Sequence, residues 1–175
     1  HKQLATHVKS AKEEDKPLPK QLNLDSKLRS GKKGFLVHES DLSPNFLNGY
    51  DMILIQGNPL KSTSRSSLVQ GFISDALKEY QKKCTENQKC DVSLINLEDS
   101  KMIKRLMDEK GLSSLSSNYP AIGAVNDQIQ KLRNESIIVD YQYQKWDKSF
   151  WPHSSKGFFK LKSKIPKILK QLDCM

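Results

Sequence analysis

One short run of apolar residues constrains the fold of this chain more than any other feature. Residues 51–56, DMILIQ, are almost continuously hydrophobic, which is typical of a strand buried on both faces of a sheet. A helix is predicted over residues 66–83, because apolar residues recur there at steps of three and four, and Ser66 or Ser67 can cap it. A second strand is predicted over 91–97. Strand, helix and strand in this order predict parallel pairing through a right-handed crossover.

The rest of the chain predicts further strands and helices around that unit. A second helix begins near Ser100 and ends at Gly111, since glycine is favoured just beyond a helix. Strands are predicted over 120–126 and 136–141, a loop over 146–157, and a last helix over 163–172 with Pro166 in its first turn. The late strand–strand–helix order indicates an antiparallel addition. The predicted fold class is therefore α/β, with a mixed central sheet flanked by helices.

A proline step suggests a family resemblance. Tyr119–Pro120 opens an apolar stretch, and a proline there makes sense if the bond is cis and the turn presents backbone at a binding edge. This order of elements, ending in a proline-led strand, resembles the thioredoxin fold over about residues 35–172. The resemblance implies a three-layer sandwich in which the family's cis-proline step, matched by Tyr119–Pro120, faces the active-site loop.

The thioredoxin active-site motif is degenerate in this chain. The family's C-x-x-C-K segment aligns with Lys61, Ser62, Thr63, Ser64 and Arg65. Lys61 and Ser64 occupy the cysteine positions, and Arg65 matches the basic residue that follows. The low-pKa thiolate that performs disulfide exchange is missing, so the resemblance implies a redox-inactive member. These five residues, with Tyr119 and Pro120, are its predicted binding site.

No other catalytic group stands out in the sequence. Five residues separate Cys84 from Cys90, which leaves a disulfide open, and Cys174 lies near the end of the chain. A serine nucleophile would need a nearby base, for which only His38 and His153 are available, without a hydrolase motif around either. No Cys/His cluster indicates a metal site, and neither cofactor nor metal is predicted.

The same loop allows a different interpretation, as a phosphate site. Residues 57–65 do not match the phosphate-loop motif G-x-x-x-x-G-K-[ST], whether it is counted forward from Gly57 or back from Lys61. An anion site at the helix N-terminus nevertheless stays open, because Lys61, Arg65 and free amides attract phosphate. A phosphate-ligand-binding enzyme is thus one alternative.

Basic charge is concentrated at the C-terminal end. The net charge is +9, and residues 141–175 hold eight lysines against Asp147 and Asp173. A solvated lysine face, an electrostatic docking surface and a nucleic-acid-binding surface with interleaved aromatic residues are all consistent with this pattern. The residues of the predicted basic surface are Lys156, Lys160, Lys162, Lys164, Lys167 and Lys170.

Residues 1–20 indicate a flexible tail or tether, because residues 9–20 are mostly charged, and a single domain follows over 21–175. The chain begins with His1, so we expect a processed or truncated piece of a longer protein, extracytoplasmic or membrane-associated. The sequence favours a redox-inactive thioredoxin-like domain that binds protein partners, or acts as a scaffold, in a larger assembly.

Overall fold

A computed structural model describes residues 30–43, 47–61, 64–154 and 157–172, and it shows an α/β protein. Contacts divide the described residues into two compact units, residues 30–145 and residues 146–172. The first unit holds the sheet, and the second holds most of α4 with α5 and α6. In chain order the elements are β1 (Lys32–Val37), β2 (Met52–Gln56), α1 (Ser67–Asn87), β3 (Asp91–Ile95), α2 (Ser100–Lys110), β4 (Leu112–Asn118), α3 (Ala124–Asn134), β5 (Val139–Gln142), α4 (Lys145–Ser154), α5 (Phe158–Lys162) and α6 (Ile165–Gln171).

The five strands form one parallel sheet in the order β3-β2-β1-β4-β5. The chain moves outward from β1 to β3 and then crosses to the other side of β1 to build β4 and β5. Strand β1 therefore lies in the centre, where its backbone is crowded. A Cβ on Gly34 would lie 2.7 Å from Leu115 Cδ2 and 3.0 Å from Leu54 Cδ1, so only glycine fits there without displacing its neighbours.

Helices cover both faces of this sheet. Alternate residues of β1 and β2 point to opposite faces. On one face Phe35 and Ile53 belong to a core with Leu77 of α1. On the other face Leu36 and Leu54 belong to a core with residues of α2 and α3, namely Ile103, Met107, Val125, Ile129 and Leu132. All five residues of β2 are buried, which confirms the strand predicted from the apolar run.

The ends of two helices follow from capping residues. Helix α1 begins after Ser66, whose hydroxyl accepts a hydrogen bond from the Val69 amide at 3.4 Å. Helix α2 begins after Asp99, which accepts from the Met102 amide at 2.9 Å. It ends at Gly111, which has the left-handed φ of 68° that a Cβ disfavours. Both predicted helices are confirmed, although α1 continues to Asn87.

Several predictions for the second half of the first unit are wrong. The sheet is not mixed, because β5 pairs with β4 in parallel. The strand predicted over 120–126 is instead a turn that leads into α3, and the serine-rich segment before it is strand β4. Its serines are tolerated inside the sheet because they find partners: the Ser117 hydroxyl donates to the Leu36 carbonyl at 2.9 Å.

The Tyr119–Pro120 bond is trans, as is every peptide bond among the described residues. The expected cis step is therefore wrong, and Pro120 follows a strand rather than opening one. A proline fits this place because it has no amide to donate to a continuing ladder.

The second unit is more helical than the sequence indicates. The loop predicted over 146–157 is largely α4, which carries Pro152 within it. The last predicted helix is confirmed as α6, with Pro166 in its first turn. Within the described ranges, none of the helices has the length and apolarity needed to cross a bilayer. The predicted tail over 1–20 lies outside the described residues, and the single domain over 21–175 stays a prediction.

Candidate functional site at the carboxyl edge of the sheet

Ligands of open parallel sheets bind beyond the carboxyl ends of the strands, at the point where the strand order reverses. In this sheet the order reverses between β1 and β4. Five polar residues lie at or just after the ends of β1, β2 and β4, and three of them are buried. We name them the carboxyl-edge cluster: His38, Glu39, Asp41, Gln56 and Asn118.

His38 ties the end of β1 to the end of β4. Its Nε2 lies 3.0 Å from the Asn118 carbonyl oxygen, and its Nδ1 lies 2.9 Å from the Ser40 hydroxyl. A carbonyl can only accept, so Nε2 carries the proton and Nδ1 accepts from Ser40. Burial lowers the pKa of His38 below its ordinary value, because desolvation disfavours the charged ring. The imidazole is therefore neutral at pH 7.

Asn118 and Asp41 hold the β1–β2 connection against the same edge. The Asn118 side-chain amide donates to Asp41 Oδ2 at 2.8 Å. Asp41 in turn donates its backbone amide to the His38 carbonyl at 3.1 Å and accepts from the Ser43 amide at 2.9 Å. Asp41, just after β1, is thus held against the end of β4.

Glu39 organises the neighbouring loop over residues 57–65. Its side chain is only 2% exposed, and Oε1 lies 2.6 Å from Arg65 Nη2. The other oxygen, Oε2, accepts from Gln56 Nε2 at 2.9 Å and from the Leu60 amide at 3.2 Å. The Glu39 backbone amide donates back to Gln56 Oε1 at 3.0 Å. One buried carboxylate therefore joins the ends of β1 and β2 to the start of α1.

Three buried side-chain atoms of the described residues lack a hydrogen-bond partner, and all three belong to this edge: Glu39 Oε1, Arg65 Nη1 and Asn118 Oδ1. Glu39 and Arg65 therefore attract each other as an ion pair without the alignment of a hydrogen bond.

The structure places the predicted loop residues in different surroundings. Lys61 and Ser64 are exposed, Arg65 is paired with Glu39, and Ser62 and Thr63 lie outside the described residues. The Lys61 amide donates to Glu98 Oε2 at 3.2 Å. Carboxylates of the chain itself therefore occupy two amides of the loop and the Arg65 guanidinium.

Tyr119, the residue before Pro120, belongs to a separate group of aromatic residues. Tyr119 stacks on Tyr143 with ring centroids 5.2 Å apart, and it meets the edge of Tyr141 at 5.1 Å. Pro120 is buried. These residues follow β4, whereas the 57–65 loop follows β2, and β1 lies between those strands. The two predicted segments share one edge of the sheet without being adjacent.

The described cysteines are poor nucleophiles. Cys84 is buried and Cys90 is half-buried, and both are free thiols. Burial raises the pKa of each thiol, so little thiolate forms at neutral pH. Cys174 lies outside the described residues.

Two exposed surfaces lie outside the carboxyl-edge cluster. The first turns of α1 expose Leu68 by 84% and Phe72 by 75%, along an open depression of about 790 Å³. Five lysines of the predicted basic surface are exposed, and Lys156 lies outside the described residues. No cluster of His, Cys, Asp and Glu able to hold a metal ion occurs in the described parts of the chain. The five exposed lysines are Lys160, Lys162, Lys164, Lys167 and Lys170.

The chain has no match among family models, curated proteins or solved structures. Its function must be argued from its own geometry. The sequence analysis did not single out Glu39, Asn118 or Asp41. A signal was present, because polar residues that directly follow a buried strand at its carboxyl end are candidates for this edge.

Proposed function

We propose that this chain is a noncatalytic protein-binding domain within a larger assembly, and that the partner docks on the first turns of α1. The observation that carries the proposal is the exposure of Leu68 and Phe72. The two residues lie one turn apart on the same side of the helix. A single exposed leucine needs no explanation, but a contiguous exposed apolar surface does. Both belong to the apolar residues that recur at steps of three and four along the predicted helix, and the structure leaves them exposed.

The chemistry of the partner follows from the shape and charge of the protein. An open depression of about 790 Å³, lined by Leu68, Val69 and Phe72 among others, is large enough to receive several apolar side chains. Asp75 also lines the depression, which favours a basic residue on the partner. We infer that the occupant is an amphipathic helix that inserts its apolar side between these residues and places a basic residue beside Asp75.

The carboxyl-edge cluster supports a noncatalytic role. Ser40 and His38 have the separation of a nucleophile and its base, but they are two residues apart in one turn, where such contacts are common local bonds. The lowered pKa of His38 also makes it a weaker proton acceptor. The remaining polar groups mostly bond one another, so we assign the cluster to closing the edge.

The fold supports a finer architectural proposal. Separate cores on the two faces of the sheet favour a three-layer α/β/α sandwich for residues 30–145. Membership of the thioredoxin-like superfamily is supported by the β2–α1–β3 order and by Arg65 at the start of α1. The parallel β5 and the trans Tyr119–Pro120 bond weigh against it.

The two alternative functions receive less support. A phosphate ligand in the 57–65 loop would face Glu39 and Glu98, whose carboxylates already bind the loop amides. Nucleic-acid binding through stacked aromatics would lose Tyr141 and Tyr143, because Tyr119 packs against both rings and the Arg133 guanidinium lies 3.9 Å over Tyr141.

Site-specific photocrosslinking tests the proposal. A photoreactive phenylalanine analogue at position 72 should yield a discrete adduct with one protein, crosslinked at an amphipathic helix, in nuclease-treated extract of the native source. The same analogue at position 122 is the matched control, since Ile122 is 95% exposed on the β4–α3 connection. Equal adducts at both positions, or none at 72, would refute docking on α1.

Purified partner then provides the quantitative test. The double variant Leu68→Ser/Phe72→Ser should bind at least about tenfold more weakly, because apolar anchors at the centre of an interface carry most of its free energy. Ile122→Ser should bind like the wild type. Unchanged affinity of the double variant, with circular dichroism showing an intact fold, would contradict the proposal.

A further inference from the structure

The second unit has an unusual combination of charge and exposed aromatic surface. Residues 148–172 contain seven lysines and no Asp, Glu or Arg. Phe158 is 64% exposed and Phe159 is 85% exposed. The lysines around them, Lys160, Lys162 and Lys164, are exposed as well. Apolar rings and exposed lysines therefore occur together within residues 158–164.

The apolar residues of α6 show that this exposure is selective. Ile168 is buried, and Ile165 and Leu169 are half-buried, whereas Lys167 and Lys170 are exposed. Helix α6 thus has an inner apolar side and an outer basic side. The two phenylalanines of α5 do not follow that division, because both are exposed, as the neighbouring lysines are.

We propose that residues 157–172 bind the surface of an anionic membrane peripherally. Phenylalanine has no polar group to satisfy, so it fits the boundary between headgroups and acyl chains. Lysine places its methylene stem along apolar surface while its ammonium group reaches the lipid phosphates. A cluster of four to eight such cations beside apolar anchors is the composition that anionic lipids attract. This site is independent of the α1 surface and of any tether outside the described residues.

The same observations favour lipid over nucleic acid. The two rings of Phe158 and Phe159 are tilted by 67° with centroids 5.9 Å apart, so they do not form parallel platforms for successive bases. All cations in the segment are lysines, which lack the planar fork with which arginine recognises phosphates and bases. A lipid surface requires neither parallel rings nor bidentate donors.

Tryptophan fluorescence tests the proposal directly. The chain has only two tryptophans, Trp146 and Trp151, and both are exposed in this unit. Vesicles of phosphatidylcholine with about 30 mol % phosphatidylserine should shift the emission to shorter wavelength, and brominated lipids should quench it. Vesicles of phosphatidylcholine alone should have roughly tenfold weaker effect.

Paired variants separate the two parts of the site. Phe158→Ser/Phe159→Ser and Lys160→Gln/Lys164→Gln should each weaken vesicle binding by about tenfold or more. The matched controls are Ile122→Ser and Lys101→Gln/Lys104→Gln, which change exposed residues of the first unit and should bind like the wild type. Absence of vesicle binding at low salt, equal loss in the controls, or tighter binding to a single-stranded oligonucleotide than to vesicles would overturn the proposal.

Discussion

Glu39→Ala is the substitution that best tests how the carboxyl edge is built. The change removes the acceptor of Gln56 Nε2 and the Leu60 amide, and it removes the partner of Arg65. Hydrogen bonds to a buried carboxylate contribute about 1.5–3 kcal/mol each. Gln56 keeps its bond to the Asn58 carbonyl, and Arg65 is a quarter exposed, so water replaces part of the loss. We expect a decrease of about 3 kcal/mol in the free energy of unfolding.

Urea unfolding followed by circular dichroism measures this decrease. With a slope of about 2 kcal/mol/M, the midpoint should fall by about 1.5 M. Glu39→Gln keeps the shape, loses the charge and replaces one carboxylate oxygen with an NH2 group. The remaining oxygen can still accept from Gln56 and Leu60, so the midpoint should fall by about half as much. Asp75→Asn removes an exposed ion pair with Lys78 and should change stability by less than about 0.5 kcal/mol.

Hydrogen exchange locates the effect within the fold. In Glu39→Ala the Leu60 amide should lose its protection against hydrogen exchange. In both the wild type and the variant, amides of β3 should exchange more slowly than that of Leu60. If Glu39→Ala unfolds at the wild-type midpoint and Leu60 stays protected, Glu39 does not hold the loop and the reasoning is wrong.

Three further predictions concern other parts of the first unit. The pKa of His38 is lowered in the folded protein from its ordinary 6.5, so the neutral ring stabilises the fold above pH 6.5 and this stabilisation is lost as the pH falls below that value. A His38→Gln variant should therefore show a flatter decline of the urea midpoint between neutral and acid pH. Gly34→Ala places a Cβ 2.7 Å from a Leu115 methyl group and should destabilise the protein by about 1–3 kcal/mol, whereas Gly71→Ala, in open space on α1, should stabilise it by about 0.5–1 kcal/mol. Thermal unfolding measures both changes, and equal melting temperatures of the two variants would contradict the crowding argument. Iodoacetamide should alkylate Cys84 at least about tenfold faster in urea than in the native protein, since its thiol is buried with a raised pKa; mass spectrometry of the Cys84 peptide checks this, and equal rates would show that the thiol is accessible.

Local signals made β2, α1 and α2 predictable. The apolar run of β2 needs no partner to be recognised, and Ser66 and Gly111 mark helix ends by their own capping chemistry. Strand β4 was missed because its serines resemble a loop until the Leu36 carbonyl is known to accept from Ser117. Helix α3 was missed because its first apolar residues, next to Pro120, also fit a short strand.

The direction of β5 and the carboxyl-edge cluster depend on contacts that are remote in sequence. His38 and Asn118 are 80 residues apart, and Glu39 and Arg65 meet only because β1 and β2 end side by side. No spacing along the chain encodes such pairs. A polar residue after a buried strand can be predicted to lie at this edge, but its partner becomes known only with the strand order.

The central position of β1 has a consequence for how the chain is synthesised. Its first neighbour, β2, follows closely, but its second neighbour is β4, and 81 residues separate Leu36 from Ser117. At about 5–20 residues per second, a ribosome needs roughly 4–16 s to deliver that stretch. During this interval the nascent sheet keeps one side of β1 unpaired, open to any other extended chain. Stalled or truncated products that end before residue 112 are therefore the form of this protein that most requires a chaperone.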